Sequence, residues 1–124
     1  MMRRATRRRL AFLLSLSLLA ARSLAADKID LERRAPGAAV FSKYCVLCHG
    51  VRAEGDGVAA QNLNPRPANL RVSTLSDAQK EAIIRNGGSG VGRSPAMPPW
   101  REELNQRQIE DLIAYLASLT PARQ

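Results

Sequence analysis

The sequence predicts an all-α fold in which three or more helices are joined by long loops. Apolar residues recur at helical spacing in three segments, and two of those segments begin with capping pairs. The rest of the chain reads as loop, with no βαβ context. The segments Gly50–Ser73 and Gly87–Pro99 are rich in glycine and proline and too long for a small domain packed only on itself.

Residues 1–25 read as a signal peptide. Arg3, Arg4, Arg7, Arg8 and Arg9 make a positive n-region, Leu10 to Ala21 an apolar stretch, and Ser23-Leu24-Ala25 the small residues before a cleavage site. The apolar run is about a dozen residues, short for a ~30 Å hydrocarbon core. An uncleaved anchor is the competing reading. Thr6-Arg7-Arg8 suggests a twin-arginine signal only superficially, because arginine-rich n-regions are common. Residues 26–35 are highly charged and are expected to form a flexible lead-in. One domain, 36–124, completes the chain.

Pro36-Gly37 is expected to open the first helix, with Gly37, Phe41 and Cys45 sharing a face. The second helix begins near Ser76, which forms a capping box with Gln79. Ile83 and Ile84 supply its apolar side, and Asn86-Gly87-Gly88 ends it. Asn105 and Gln108 cap the third helix, and Leu104 and Ile109 are placed for a hydrophobic staple. Ile109, Leu112, Ile113, Leu116 and Leu119 form its stripe, and Pro121 stops it.

The pentapeptide Cys45-Val46-Leu47-Cys48-His49 carries the chemistry. It is a Cys-x-x-Cys-His motif, the attachment site of a c-type haem. Two thiols on one helical turn can each add to a porphyrin vinyl group, and the next residue presents an imidazole to the iron. A redox dithiol would want a βαβ context. A structural zinc site wants four ligands, whereas the chain has two Cys and one His. A Cys45–Cys48 disulfide would close a tiny loop and remove little unfolded-state entropy. One covalent haem also supplies the apolar bulk that so small a domain lacks, and each long loop then wraps one face of it.

His49 is the only histidine, so a second histidine ligand from the same chain is excluded. Met97 is the only methionine beyond the signal segment, and it lies in Pro95-Ala96-Met97-Pro98-Pro99-Trp100. Proline fixes φ and restricts its predecessor, which suits a loop holding a thioether against a metal. A gap-filling core methionine is the alternative. The haem motif and the prolines favour Met97 as the sixth iron ligand.

The net charge of +8 alone would suggest nucleic acid or anionic lipid as partner. Six of the 19 basic residues precede residue 26, while all 11 acidic residues lie beyond it. The processed chain is therefore close to neutral. No basic patch interleaved with aromatics remains, so no nucleic-acid partner is expected. Glu54 and Asp56 are spaced like calcium ligands, but the glycines around them read better as a turn. The lone histidine is already assigned, and no phosphate-binding or dinucleotide fingerprint appears, so no enzyme is expected.

With these motifs the chain resembles the class I monohaem cytochromes c, in their bacterial periplasmic branch. Gly37-x-x-x-Phe41-x-x-x-Cys45 is similar to the family's N-terminal helix and Asp111–Leu116 to its C-terminal helix. Asn86-Gly87 followed by Met97-Pro98 is similar to its distal ligand loop, with Gly87–Ser94 longer than in the shortest members. Gly50–Gly57 and Asn64–Leu70 resemble the bacterial branch. The resemblance implies the cytochrome c fold, long loops wrapped around one covalent haem c, and crossed terminal helices. In that crossing Gly37 allows close approach and Phe41 meets Leu112 and Tyr115. It also implies a carbonyl from Pro65 or Pro67 accepting the second ring N–H of the iron-bound histidine, unless both prolines merely stiffen the loop. Trp100 would donate its indole N–H to a propionate, or else pack. Arg66, Arg71 and Arg93 could pair with propionates or stay solvated.

The implied function is periplasmic one-electron transfer, by a free carrier or by the small cytochrome subunit of a dehydrogenase or oxidase. The expected partners are redox proteins: a donor dehydrogenase or cytochrome complex, and an acceptor oxidase or reductase. No stable membrane insertion is expected after processing. The alternative is a haem ligand-binding or peroxidase-like protein with a displaceable sixth ligand.

Overall fold

A computed structural model describes residues 26–120. The chain divides into two units, Met1–Leu31 and Glu32–Gln124. In the first, residues 26–31 are helical and exposed; the signal-peptide reading, on residues 1–25, lies outside the described residues. The Cys-x-x-Cys-His motif and both long loops belong to the second unit.

Among the described residues there are helices, turns and no strand, as the all-α class requires. Helix α1 covers 32–44 of the second unit, α2 Val46–His49, α3 Asp77–Asn86 and α4 Gln106–Leu119. Short 3-10 turns at Val58–Asn62, Leu70–Val72 and Ser89–Val91 punctuate the long loops. No helix among the described residues is long and apolar enough to cross a membrane.

Helix α1 corrects one expectation. Residues 32–35, assigned to a flexible lead-in, are already helical, and Pro36 lies inside the helix instead of opening it. The cause is non-local. Arg33 reaches across to α4, with Nη2 2.9 Å from Glu110 Oε2 and Nε 3.8 Å from Asp111 Oδ1. Pro36 removes one amide donor from the helix ladder, and the ion pairs preceding it hold that turn in place.

The α1–α4 crossing is the centre of the core. A Cβ at Gly37 would fall on the Asp111 carbonyl and 2.8 Å from Tyr115 Cβ, so only glycine permits this approach. Phe41 is buried against Tyr115, ring centroids 5.4 Å apart and tilted by 50°. Ile84, Leu104, Ile109, Leu112 and Leu116 complete the cluster from α3, α4 and the turn before α4.

Both capping boxes form. The Ser76 hydroxyl accepts from the Gln79 amide at 3.3 Å while Gln79 Oε1 accepts from the Ser76 amide at 2.9 Å. Asn105 and Gln108 do the same at 2.9 and 3.0 Å. Leu104 and Ile109, flanking that second cap, are 3% and 0% exposed, which is the staple expected from their spacing. Helix α3 ends at Asn86, followed by Gly87 at φ 69°, and α4 ends at Leu119. Pro121, expected to stop α4, is outside the described residues.

Candidate functional site

The pentapeptide occupies one turn at the end of α1. The Cys45 amide still donates to Phe41 O at 2.9 Å, and the His49 amide donates to Cys45 O at 2.8 Å. Cys45, Cys48 and His49 thereby issue from a single turn anchored to the core helix. Both thiols are unpaired and half-buried. Burial, with the neighbouring Cys48 adding to it, pushes the Cys45 thiol up to about 12. A redox dithiol needs a depressed thiol pKa, so the shift runs against that reading. Among the described residues no group of three or more His, Cys, Asp and Glu is placed to hold a metal ion. Glu54 and Asp56 instead face Arg52, whose Nη2 lies 2.9 Å from Glu54 Oε2 and 3.5 Å from Asp56 Oδ2.

The chain beyond His49 folds back beneath α2 and satisfies its last carbonyls. Gly55 N–H donates to His49 O at 2.9 Å and Gly57 N–H to Cys48 O at 3.1 Å. A Cβ at Gly57 would collide with the Leu47 carbonyl, so glycine is required for this close return. Ala53 is fully buried with φ 59°, a left-handed conformation rare for a residue with a side chain. Its carbonyl accepts from Leu70 N–H at 2.8 Å, tying the second loop segment to the first.

His49 Nδ1 lies 3.1 Å from the carbonyl oxygen of Ala68. A carbonyl can only accept, so Nδ1 carries the proton and Nε2 is left as the nitrogen with a lone pair. Burial pushes the imidazole toward its neutral form, opposed in part by this hydrogen bond. The acceptor differs from the expectation: it is Ala68, not Pro65 or Pro67. The Pro67 carbonyl lies against Gly55, where an added Cβ would overlap it. Pro65 is exposed and Pro67 half-buried.

Met97 is held by the end of α3. Gly88 N–H donates to Met97 O at 2.9 Å, and Met97 N–H donates to Ser94 O at 3.3 Å. A Cβ at Gly87 would come within 2.8 Å of Met97 O and 2.7 Å of Pro99 N, so this glycine lets the proline segment lie flat on the helix end. The backbone N–H of Trp100 donates to Ile84 O at 2.9 Å. The Trp100 ring meets Tyr44 edge-on, centroids 5.4 Å apart, and packs against the core. That contact sets the Met97 segment beside the residue preceding Cys45. Arg66 and Arg93 are exposed and Arg71 is half-buried.

The donor set fits a covalently attached haem: two unpaired thiols, an imidazole with its Nδ1 proton already engaged, and a half-buried thioether on a fixed loop. Sequence reasoning missed Ala68, Ala53 and Gly55. Ala68 acts through a backbone carbonyl, which every residue possesses, so no side-chain signal marks it. Gly55, between Glu54 and Asp56, was legible only as a turn glycine.

Residues 32–116 match the family described as cytochrome c oxidase, cbb3-type, subunit III. The chain is 34% identical over 86 residues to the cbb3-type cytochrome c oxidase subunit FixP of Bradyrhizobium sp. (strain ORS 278), covering 68% of this chain and 27% of that protein. It is 31% identical over 91 residues to cytochrome c-554(547) of Halothiobacillus neapolitanus, covering 68% of this chain and 94% of that protein. Among solved structures, a chain of the Kuenenia stuttgartiensis reducing HAO-like protein complex superposes with a TM-score of 0.58 at 26% identity, over 70% of this chain and 42% of that one. The chain thus spans less than a third of the FixP relative but nearly all of the cytochrome c-554(547). It belongs to the cbb3-type cytochrome c oxidase subunit III family and is a class I c-type cytochrome with covalently attached haem c.

Proposed function

We propose that the protein is a periplasmic one-electron carrier, with Cys45 and Cys48 as the thioether residues and His49 and Met97 as the axial iron ligands. The observation that carries this reading is the single turn presenting Cys45, Cys48 and His49, with the His49 ring fixed through its Nδ1 proton. The haem supplies a ferric–ferrous couple. The chain's own residues would fix its ligands. The Ala68 carbonyl orients the imidazole and raises its basicity. The α3 terminus and the proline segment hold Met97, a soft neutral ligand that favours the ferrous state. With His49 and Met97 both held by the chain, the iron would keep no open position for substrate.

Residues 1–25 act in this reading as a signal peptide removed on export. The processed chain works free or as the small cytochrome subunit of a dehydrogenase or oxidase, exchanging electrons with redox proteins. The cytochrome c-554(547) relative, 94% of which is matched by this chain, supports a carrier built from this one domain, and the FixP relatives support docking within an oxidase.

Met97→Ala tests the reading. It should retain covalent haem, lose the absorption band of iron–methionine bonding, lower the midpoint potential and open the iron to cyanide or carbon monoxide. A haem ligand-binder would instead take up those ligands quickly in the wild type. An unchanged potential in Met97→Ala would remove Met97 from the site.

A further inference from the structure

We infer that Gly55 is a positioning residue for the His49 imidazole and thereby sets the redox potential. The inference rests on the reading of His49 as an iron ligand. Gly55 touches both ends of a closed circuit. Its N–H donates to the backbone carbonyl of His49 at 2.9 Å. Its bare Cα lies against the Pro67–Ala68 peptide, where an added Cβ would overlap Pro67 O and come within 3.2 Å of Ala68 C. The carbonyl of Ala68 then returns to His49 Nδ1 at 3.1 Å. On the far side of Ala68, Leu70 N–H is latched to Ala53 O at 2.8 Å. The acceptor is thus bracketed by two contacts from one short loop, one before it in sequence and one after it. With the Leu70 latch fixed, a methyl group at Gly55 pushes the Pro67–Ala68 peptide away from His49 and stretches the ring hydrogen bond. A weaker bond makes the imidazole a poorer electron donor, which disfavours ferric iron and raises the potential.

The experiment compares wild-type holoprotein with Gly55→Ala and with Gly92→Ala. Gly55 and Gly92 both have positive φ, 80° and 71°, but a Cβ at Gly92 meets nothing within 4 Å. Gly92→Ala therefore places an alanine at positive φ without the collision. Midpoint potential and solvent exchange of the His49 Nδ1 proton, followed by NMR in the reduced protein, are the readouts. Gly55→Ala should keep covalent haem and the methionine band, raise the potential, and speed Nδ1 exchange about five- to tenfold, the loss of roughly one net hydrogen bond. Gly92→Ala should lose stability and move neither readout. A Gly55→Ala protein with wild-type potential and exchange overturns the inference while leaving His49 as ligand. Absence of any haem-shifted His49 resonance in the wild type overturns the underlying reading as well. Should Gly55→Ala fail to fold, the wild type still decides. After division by their intrinsic exchange rates, the amide protons of Gly55 and Leu70 and the His49 Nδ1 proton should report one common opening free energy, and a separate, lower value for Nδ1 overturns the coupling.

Discussion

Gly37→Ala pits two effects of opposite sign against each other at the α1–α4 crossing. Alanine is favoured over glycine inside a helix by about 1 kcal/mol. Against that, the new Cβ falls on the Asp111 carbonyl, a backbone group of α4 that cannot rotate away, and within 2.8 Å of Tyr115 Cβ. Relief requires α1 to withdraw by on the order of 1 Å, a gap that forfeits a quarter to a half of the dispersion attraction across it. Phe41 and Leu112, both 2% exposed, bear most of that weakening. Burial of each side chain is worth about 1.5–3 kcal/mol. Up to half of that for the pair, with a few tenths from loosening the partly exposed Arg33–Glu110 ion pair, gives a loss of about 2–3 kcal/mol. The net effect is destabilisation by about 1–2 kcal/mol, or a fall in Tm of roughly 5–15 °C for a domain of this size. Urea unfolding of the oxidised holoprotein, followed by haem absorption and far-ultraviolet circular dichroism, measures it. Ala39→Gly, in the same helix and away from the crossing glycine, should cost only the propensity difference of about 1 kcal/mol. A Gly37→Ala protein as stable as wild type, or more so, would refute the close-approach argument.

Removing the α4 cap with Asn105→Ala should cost about 1 kcal/mol in the same urea assay, since the Gln108 amide loses its acceptor. The Glu81 carboxyl is held below the ordinary carboxylate range, first by its hydrogen bond from Arg85, with a further one from Gln106, burial opposing. Its folded pKa is lower than its unfolded one, so its stabilising contribution is present above the ordinary carboxylate range and lost as pH falls through the folded value. Glu81→Gln should therefore narrow the gap to wild type as the pH is lowered, and a gap that widens on acidification would contradict the assignment.

What the sequence made legible was local. Ser76 with Gln79, and Asn105 with Gln108, announce helix starts because each cap is a contact between residues three apart. The Leu104–Ile109 staple and the turn from Cys45 to His49 are local in the same sense. The errors came from contacts between distant segments. Pro36 looked like a helix start because nothing nearby shows that Arg33 is anchored by Glu110 and Asp111. The prolines drew attention as acceptors for His49, yet the Pro67 carbonyl is taken up against Gly55 and the next one, Ala68, faces the ring. The buried left-handed Ala53 carries no sequence mark, since alanine is neither a turn former nor a capping residue.

The central claim is that one haem is bonded covalently to Cys45 and Cys48. The intact mass of the purified protein under denaturing conditions tests it most directly. The wild-type polypeptide should be heavier by the mass of a single haem, and the Cys45→Ala, Cys48→Ala double variant by none. A wild-type mass equal to the bare polypeptide, or a double variant that keeps the haem mass, would contradict it.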